Sequence, residues 1–142
     1  MHVGTIRPAS SLVQVETAAL GTIRAATVAA FPREGCGLLL GTPDRILAAT
    51  VARNVAADPV CRFEIDPAHL VEAQRRARET GPPICGCWHS HPNGRLEPSR
   101  HDAEGAAITA WLWLIAGPQG TLALWRWSGA GFLPVAWAET PA

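Results

Sequence analysis

Two histidines one residue apart, His89 and His91, stand at the end of the apolar run Ile84–Trp88, just before the polar segment Pro92–Pro98. In an extended chain, side chains at i and i+2 leave the same face with Cα atoms about 6–7 Å apart, so two imidazoles can lean onto one cation. A strand end beside a loop also admits substrate more readily than a strand centre. A catalytic zinc takes three protein ligands and keeps a fourth position open for water. Asp102, eleven residues beyond His91 and across a turn-rich loop, is the best third donor. Two neutral imidazoles and one carboxylate would offset half of the zinc charge, and the remainder would acidify a bound water.

Plainer roles compete for these residues. Ser99-Arg100-His101-Asp102 also fits a capping box, with Ser99 at the N-cap and Asp102 three positions on. The two roles are compatible, because a capped helix start would hold Asp102 rigidly toward a metal. A His-x-His pair alone suits a core or a surface equally well. Cys85 and Cys87 extend the same strand, but Cys85 and His91 are about 20 Å apart in an extended chain, so the four side chains cannot converge on one ion. The two cysteines read as core thiols on the histidine face. His101 is a rival or fourth ligand, His69 falls in a helix as a partly exposed residue, and His2 is terminal.

The elements that must position the pair can be read from periodicity and breakers. Leu12, Val13 and Val15 suggest a first strand, and Thr17 caps a helix to about Ala30 with Leu20, Ile23, Thr27 and Phe31 on one face. Pro32 stops it. Cys36–Leu40 and Ile46–Val51 form a hairpin about Thr42–Arg45, and Arg62–Ile65 forms another short strand. Asp66-Pro67 opens a second helix that Gly81-Pro82-Pro83 closes. After the central strand, a third helix runs from Ser99 to about Ile108. Trp111–Ala116 and Thr121–Trp127 then pair across Gly117-Pro118-Gln119-Gly120, and Phe132–Trp137 ends the fold as one strand. Helices interspersed with hairpins imply an α/β (α+β-like) single domain over residues 1–142, with its core at about 12–137.

Composition narrows the function. The chain has 142 residues, of which 48% are hydrophobic, enough for one buried core. Twelve basic and twelve acidic residues cancel, so electrostatics supply no reason to expect nucleic acid or an anionic membrane. Every basic residue is Arg, which excludes a Schiff-base lysine. The first residues, Met1–Pro8, lack the apolar run of a signal peptide, and no stretch is long enough to span a bilayer, so a cytoplasmic location is expected. The four cysteines are expected as thiols. Six tryptophans include the i,i+2 pairs Trp111/Trp113 and Trp125/Trp127, placed for cross-strand packing or, alternatively, a homodimer or substrate-protein surface. Trp137 is assigned to the same layer.

The longer pattern resembles that of the JAMM (MPN-plus) zinc metalloproteases: an upstream Glu, then His-Ser-His-Pro, six residues, Ser, two residues and Asp. Here it is Glu34, His89-Ser90-His91-Pro92, Asn93–Pro98, Ser99 and Asp102. Pro32–Gly41 resembles the segment that carries the family's catalytic Glu, and Arg62–Pro67 the lead-in to its second helix, so the likeness covers roughly residues 12–127. The resemblance implies an MPN domain with a mixed sheet or partial barrel flanked by helices. It implies one zinc per chain on His89, His91 and Asp102, Glu34 as the acid–base residue, and Ser99 as a hydroxyl donor to the developing oxyanion. Ser90 is expected to point away from the histidines as support.

The compactness of the chain is similar to the prokaryotic branch of that family. This implies hydrolysis after the C-terminal Gly-Gly of a small ubiquitin-like or sulfur-carrier protein. A non-catalytic MPN scaffold is the alternative, although such members lose metal ligands that this sequence retains. A serine hydrolase lacks its Gly-x-Ser-x-Gly elbow here. A Cys36- or Cys87-based protease leaves the Ser99/Asp102 spacing unexplained. Zinc deaminase signatures are absent.

Overall fold

The structure, a computed structural model, describes residues 12–141. Its elements follow as β1 (Val13–Glu16), α1 (Thr17–Ala30), β2 (Cys36–Thr42), β3 (Arg45–Ala49), α2 (Pro67–Glu79), β4 (Ile84–Ser90), α3 (Arg100–Gly105), β5 (Leu112–Ala116), β6 (Leu122–Trp127), β7 (Phe132–Val135) and β8 (Trp137–Thr140). The strands form one mixed sheet in the order β7-β6-β5-β4-β2-β3-β1-β8. β4 lies antiparallel to β2 and parallel to β5. No helix among the described residues is long and apolar enough to cross a membrane.

The expected final strand Phe132–Trp137 is in fact two strands at opposite ends of the sheet order. β7 pairs with β6, β8 runs parallel to β1, and Ala136 alone joins them. Consecutive Cα atoms are only about 3.8 Å apart, so the two ends must come together. The sheet therefore curls into a nearly closed barrel, and Val13 N–H donates to the Ala136 carbonyl at 3.0 Å across the join.

Alternation along the strands divides the apolar residues into two clusters. Leu39, Trp88 and Leu114 face α1 with Leu20, Ile23, Ile46 and Val15. Leu38, Cys87 and Trp113 face the other way, against Phe63, Leu70, Trp125 and Phe132. The predicted tryptophan layer belongs to this second cluster: Trp113 is directly opposite Trp125, and Phe132 packs edge-on to both Trp113 and Trp127. Trp137, assigned to that layer from sequence, packs instead with the α1 cluster. A register shift also separates the two cysteines expected on one face. Leu39 is opposite Gly86 while Leu40 is opposite Ile84. The extra residue, Cys85, turns to the α1 side and Cys87 stays on the histidine side.

Other expectations shift at element ends. Glu16, not Thr17, occupies the N-cap of α1. Its carboxylate accepts from Arg45 at 3.1 Å, while Thr17 Oγ1 donates to Glu139. Phe31 lies past the helix and is 55% exposed, so it does not join the buried face. Arg62–Ile65 makes no strand and contributes a single bridge, Ile65 to Asn54. α3 stops at Gly105, short of Ile108, where Ala106 turns extended. The Asp66-Pro67 start is as expected, with Asp66 accepting from Ala68 N–H at 3.1 Å.

Two glycines let backbones approach where no side chain fits. A methyl on Gly86 would meet the Leu112 carbonyl oxygen at 1.9 Å, and one on Gly37 the Thr50 carbonyl oxygen at 1.8 Å and Trp88 Nε1 at 2.4 Å. That gap lets the Trp88 indole N–H donate to the Thr50 carbonyl at 2.7 Å. Gly37→Ala should therefore lower stability by roughly 3 kcal/mol, read as an earlier urea midpoint. Gly21→Ala, in α1 with nothing within 4 Å, should instead gain about 0.5–1 kcal/mol. Equal effects of the two substitutions would contradict this packing.

Candidate metal centre

Strand pairing brings the chemistry-bearing residues together. β4 ends beside the start of β2, so His89 is opposite Cys36, two residues after Glu34. Ser90 points to the face opposite the histidines, as expected, and ties the strands together. Its Oγ accepts from Gly35 N–H at 2.7 Å, and its own N–H donates to the Gly35 carbonyl at 3.0 Å. His91 continues past the strand, with its N–H on the Ala116 carbonyl at 2.9 Å. The following loop turns at Gly94, whose φ is +83°, and comes back so that the Arg95 carbonyl meets His91 Nδ1 at 2.8 Å. A proton on Nδ1 leaves the Nε2 lone pair free for a ligand.

His89 Nε2, His91 Nε2 and Asp102 Oδ2 form a small triangle. The two nitrogens are 3.0 Å apart, and Oδ2 lies 3.0 Å from His89 and 3.2 Å from His91. Donors about 2.0 Å from a tetrahedral zinc are separated by about 3.3 Å, so these two imidazoles and a carboxylate fit that ion in chemistry and spacing. The three residues are nearly inaccessible, at 0%, 5% and 3% exposure.

Asp102 closes the predicted capping box and turns one carboxylate oxygen toward both imidazoles. Ser99 Oγ accepts from Asp102 N–H at 3.1 Å, and Asp102 Oδ2 accepts from Ser99 N–H at 2.8 Å, completing the capping box. The oxygen fixed by that bond is the one facing the imidazoles. Burial works to raise the Asp102 pKa, but bonds from His89, His91 and Ser99 hold it well below the usual carboxylate range. Burial also pushes His89 down, against the opposing pull of Asp102. His89 thus favours the neutral form that a metal ligand requires.

Glu34 stands at the mouth of this arrangement. It is 5% exposed, and its Oε1 has no hydrogen-bond partner among the described residues. Desolvation pushes its pKa up to about 7, with His91 pulling it down and Asp102 adding to the rise. Donor atoms of Glu34, His89 and His91 also lie within 4.8 Å of one another, which makes Glu34 a rival third ligand. The 3.0–3.2 Å contacts of Asp102 are tighter and favour Asp102 in that place. Glu34, His91 and Ser99 line one cavity of about 570 Å³. Asp102 lines a second, of about 580 Å³, on the side of Phe63 and Trp113.

The remaining candidates point elsewhere. His101 Nε2 accepts from Arg62 at 3.2 Å, and its other nitrogen faces Glu104 at 3.6 Å, so it does not join the triangle. His69 bonds Thr50 Oγ1 at 2.8 Å on α2. All four cysteines are free thiols, three of them buried and Cys61 exposed on the Glu34 cavity. His2 lies outside the described residues.

Three further contributors are given no part in the site by the sequence reading. Phe63 stacks on His89 with ring centroids 4.4 Å apart, and Trp113 meets the same imidazole edge-on at 5.8 Å. Phe63 lies in the Arg62–Pro67 segment picked out by resemblance, but nothing local says that it covers a histidine. Asn54 donates to the Glu34 carbonyl at 3.0 Å from a loop with no periodic signal. Ser90→Ala would leave the buried Gly35 N–H without its acceptor, so a loss of roughly 1–3 kcal/mol is expected in urea unfolding. An unchanged midpoint would deny that bond any weight.

Comparison with known proteins agrees with this geometry. Residues 16–128 match the family described as prokaryotic homologs of the JAB domain. A desampylase from Haloferax volcanii is 35% identical over 103 residues, covering 71% of this chain and 74% of that protein. A solution structure of a Desulfitobacterium hafniense protein superposes with a TM-score of 0.81 at 23% identity, covering 92% of this chain and 94% of the other. A crystal structure of a JAB1/MPN domain protein from Archaeoglobus fulgidus gives 0.58 at 16% identity, covering 90% and 99%. These last two likenesses show the fold. Its curled mixed sheet, its buried His, His and carboxylate cluster and the matched sequence together make this chain a member of the prokaryotic JAB-domain family, of the JAMM/MPN class.

Proposed function

We propose that this protein is a zinc metallopeptidase that hydrolyses the amide bond after the C-terminal Gly-Gly of a small ubiquitin-like or sulfur-carrier protein. One zinc would be held by His89, His91 and Asp102. The observation that carries the reading is the donor triangle with 3.0–3.2 Å edges beside a buried carboxyl whose Oε1 has no hydrogen-bond partner among the described residues. A non-catalytic scaffold would have no use for either. The likeness to a desampylase supports a substrate of this protein class. The reading takes residues 1–142 as one domain at work in the cytoplasm, where reducing conditions suit four free thiols.

Each residue has a definable task. Zinc, when bound, supplies Lewis-acid polarisation of the scissile carbonyl and acidification of the attacking water. Glu34 takes the proton from that water and returns it to the departing amine. Desolvation in the metal-free protein raises the Glu34 pKa above the ordinary carboxylate range, a direction that suits one carboxyl used as both base and acid. The Ser99 hydroxyl accepts from Asp102 N–H, which leaves its own proton free to donate to the carbonyl oxygen as negative charge develops. His91 is kept in the ligand tautomer by Arg95. Gly-Gly has no side chains, so an extended tail of that kind can lie close to buried walls and be held through its backbone.

Two measurements test this. Glu34→Gln should keep about one zinc per chain by metal analysis, yet lose at least about 100-fold in cleavage of a carrier extended beyond Gly-Gly, scored by mass spectrometry. Turnover at the native rate in that variant would remove Glu34 as the proton carrier. Asp102→Asn should weaken zinc more than about 100-fold in chelator competition, beyond the range for supporting residues. Native zinc affinity there would exclude Asp102 as a ligand.

A further inference from the structure

Asn54 is the most heavily bonded polar side chain next to the centre. Its Oδ1 accepts from Ala56 N–H at 3.0 Å and from Glu64 N–H at 3.1 Å. Its Nδ2 donates to the carbonyls of Glu34 at 3.0 Å and Arg62 at 3.1 Å, with a longer contact to Pro59 at 3.4 Å. A primary amide has two donors and one oxygen with two lone pairs, so every position is filled. The amide orientation follows from its surroundings, with carbonyls on one side and N–H groups on the other.

These bonds join two things that the sequence keeps apart. One is the loop from Asn54 to Ile65, closed by the bridge between those residues and by Val55 N–H on the Glu64 carbonyl at 2.9 Å. The other is the Glu34 peptide, which the loop grips from both sides. Glu34 N–H donates to the Pro59 carbonyl at 2.7 Å, and the Glu34 carbonyl accepts from Asn54. The loop also walls both cavities: Arg62, Phe63 and Glu64 line the one beside Asp102, and Val60 and Cys61 the one beside Glu34. Phe63, in the same loop, lies flat against His89.

We propose that Asn54 is the positioning residue of this site, holding Glu34 and the shared outer wall of both cavities as one rigid unit. The two cavities are then halves of a single substrate groove on either side of the donor triangle. Asn54 touches no reacting atom; it acts through the Glu34 backbone and through the wall. The inference rests on the reading of Glu34 as the proton carrier for its effect on turnover, but the mechanical unit can be tested without it.

Asn54→Asp keeps the shape, yet turns an acceptor-only group toward three carbonyl oxygens, so the Glu34 side of the clamp should open. The expected result is a kcat per zinc-loaded chain lower by about tenfold or more, since an ångström of misplacement can cost about 100-fold. KM should rise by a smaller factor, and zinc content should stay native. Hydrogen exchange at the Glu34 and Glu64 amides should accelerate. Native kcat together with native exchange at both amides would overturn the proposal. So would a fall in activity that merely tracks lost zinc or lost folded protein.

If that variant does not fold, native-state exchange on the unaltered protein decides. The Glu34, Ala56 and Glu64 amides should share one opening free energy, and separate values would overturn the unit. If the unaltered zinc-loaded protein fails to cleave any Gly-Gly carrier, the proposed function falls. The exchange results on the same protein would still judge Asn54 separately.

Discussion

Burial of Glu34, His89, His91 and Asp102 side by side is the condition that the rest of the molecule has to satisfy. Four ionisable groups at 0–5% exposure would be strongly unfavourable unless each were paired or held a ligand. The pairing of β4 with β2 provides the frame, because it sets the end of the histidine strand against the start of the Glu34 strand. The Ser90–Gly35 bonds lock that meeting point on the face away from the histidines. Glu34 Oε1 and His89 Nδ1 are the polar atoms of this cluster that stay buried without a hydrogen-bond partner among the described residues.

The unusual sheet order follows from the same requirement. β4 is flanked by β2 and β5, with tryptophan and aliphatic layers on its two sides, so the histidines leave a strand that cannot shift without disturbing both clusters. A one-residue slip would exchange Trp88 and His89 between faces, putting an indole beside Asp102 and an imidazole in the α1 core. Closure at Ala136 removes the freedom of the outer strands to splay. The placement of the histidines thus depends on the whole curled sheet and not on β4 alone.

At Asp102 one bond both caps a helix and orients a side chain toward the imidazoles. A short helix such as α3 has little stability of its own, and its capping box makes the first turn definite. The same bond fixes which carboxylate oxygen faces the imidazoles. Helix capping and the turning of Asp102 Oδ2 toward the imidazoles are parts of one arrangement.

Local sequence was sufficient to locate the helices, most strands and the hairpins, because periodicity and caps are short-range properties, whereas Glu34, far from His89 along the chain, was singled out only by resemblance. It misplaced what depends on partners. The split of Phe132–Trp137 into two strands, the different faces of Cys85 and Cys87 and the layer of Trp137 are all set by which strand lies alongside. Phe63 on His89 and Asn54 on Glu34 were not visible for the same reason: each joins a loop to an element distant in sequence, and no spacing rule encodes such a contact. The sequence by itself determined which side chains could carry the chemistry. Only the tertiary structure decided which of them are held still, because an imidazole or carboxylate is oriented by neighbours that the chain reaches only after it has folded.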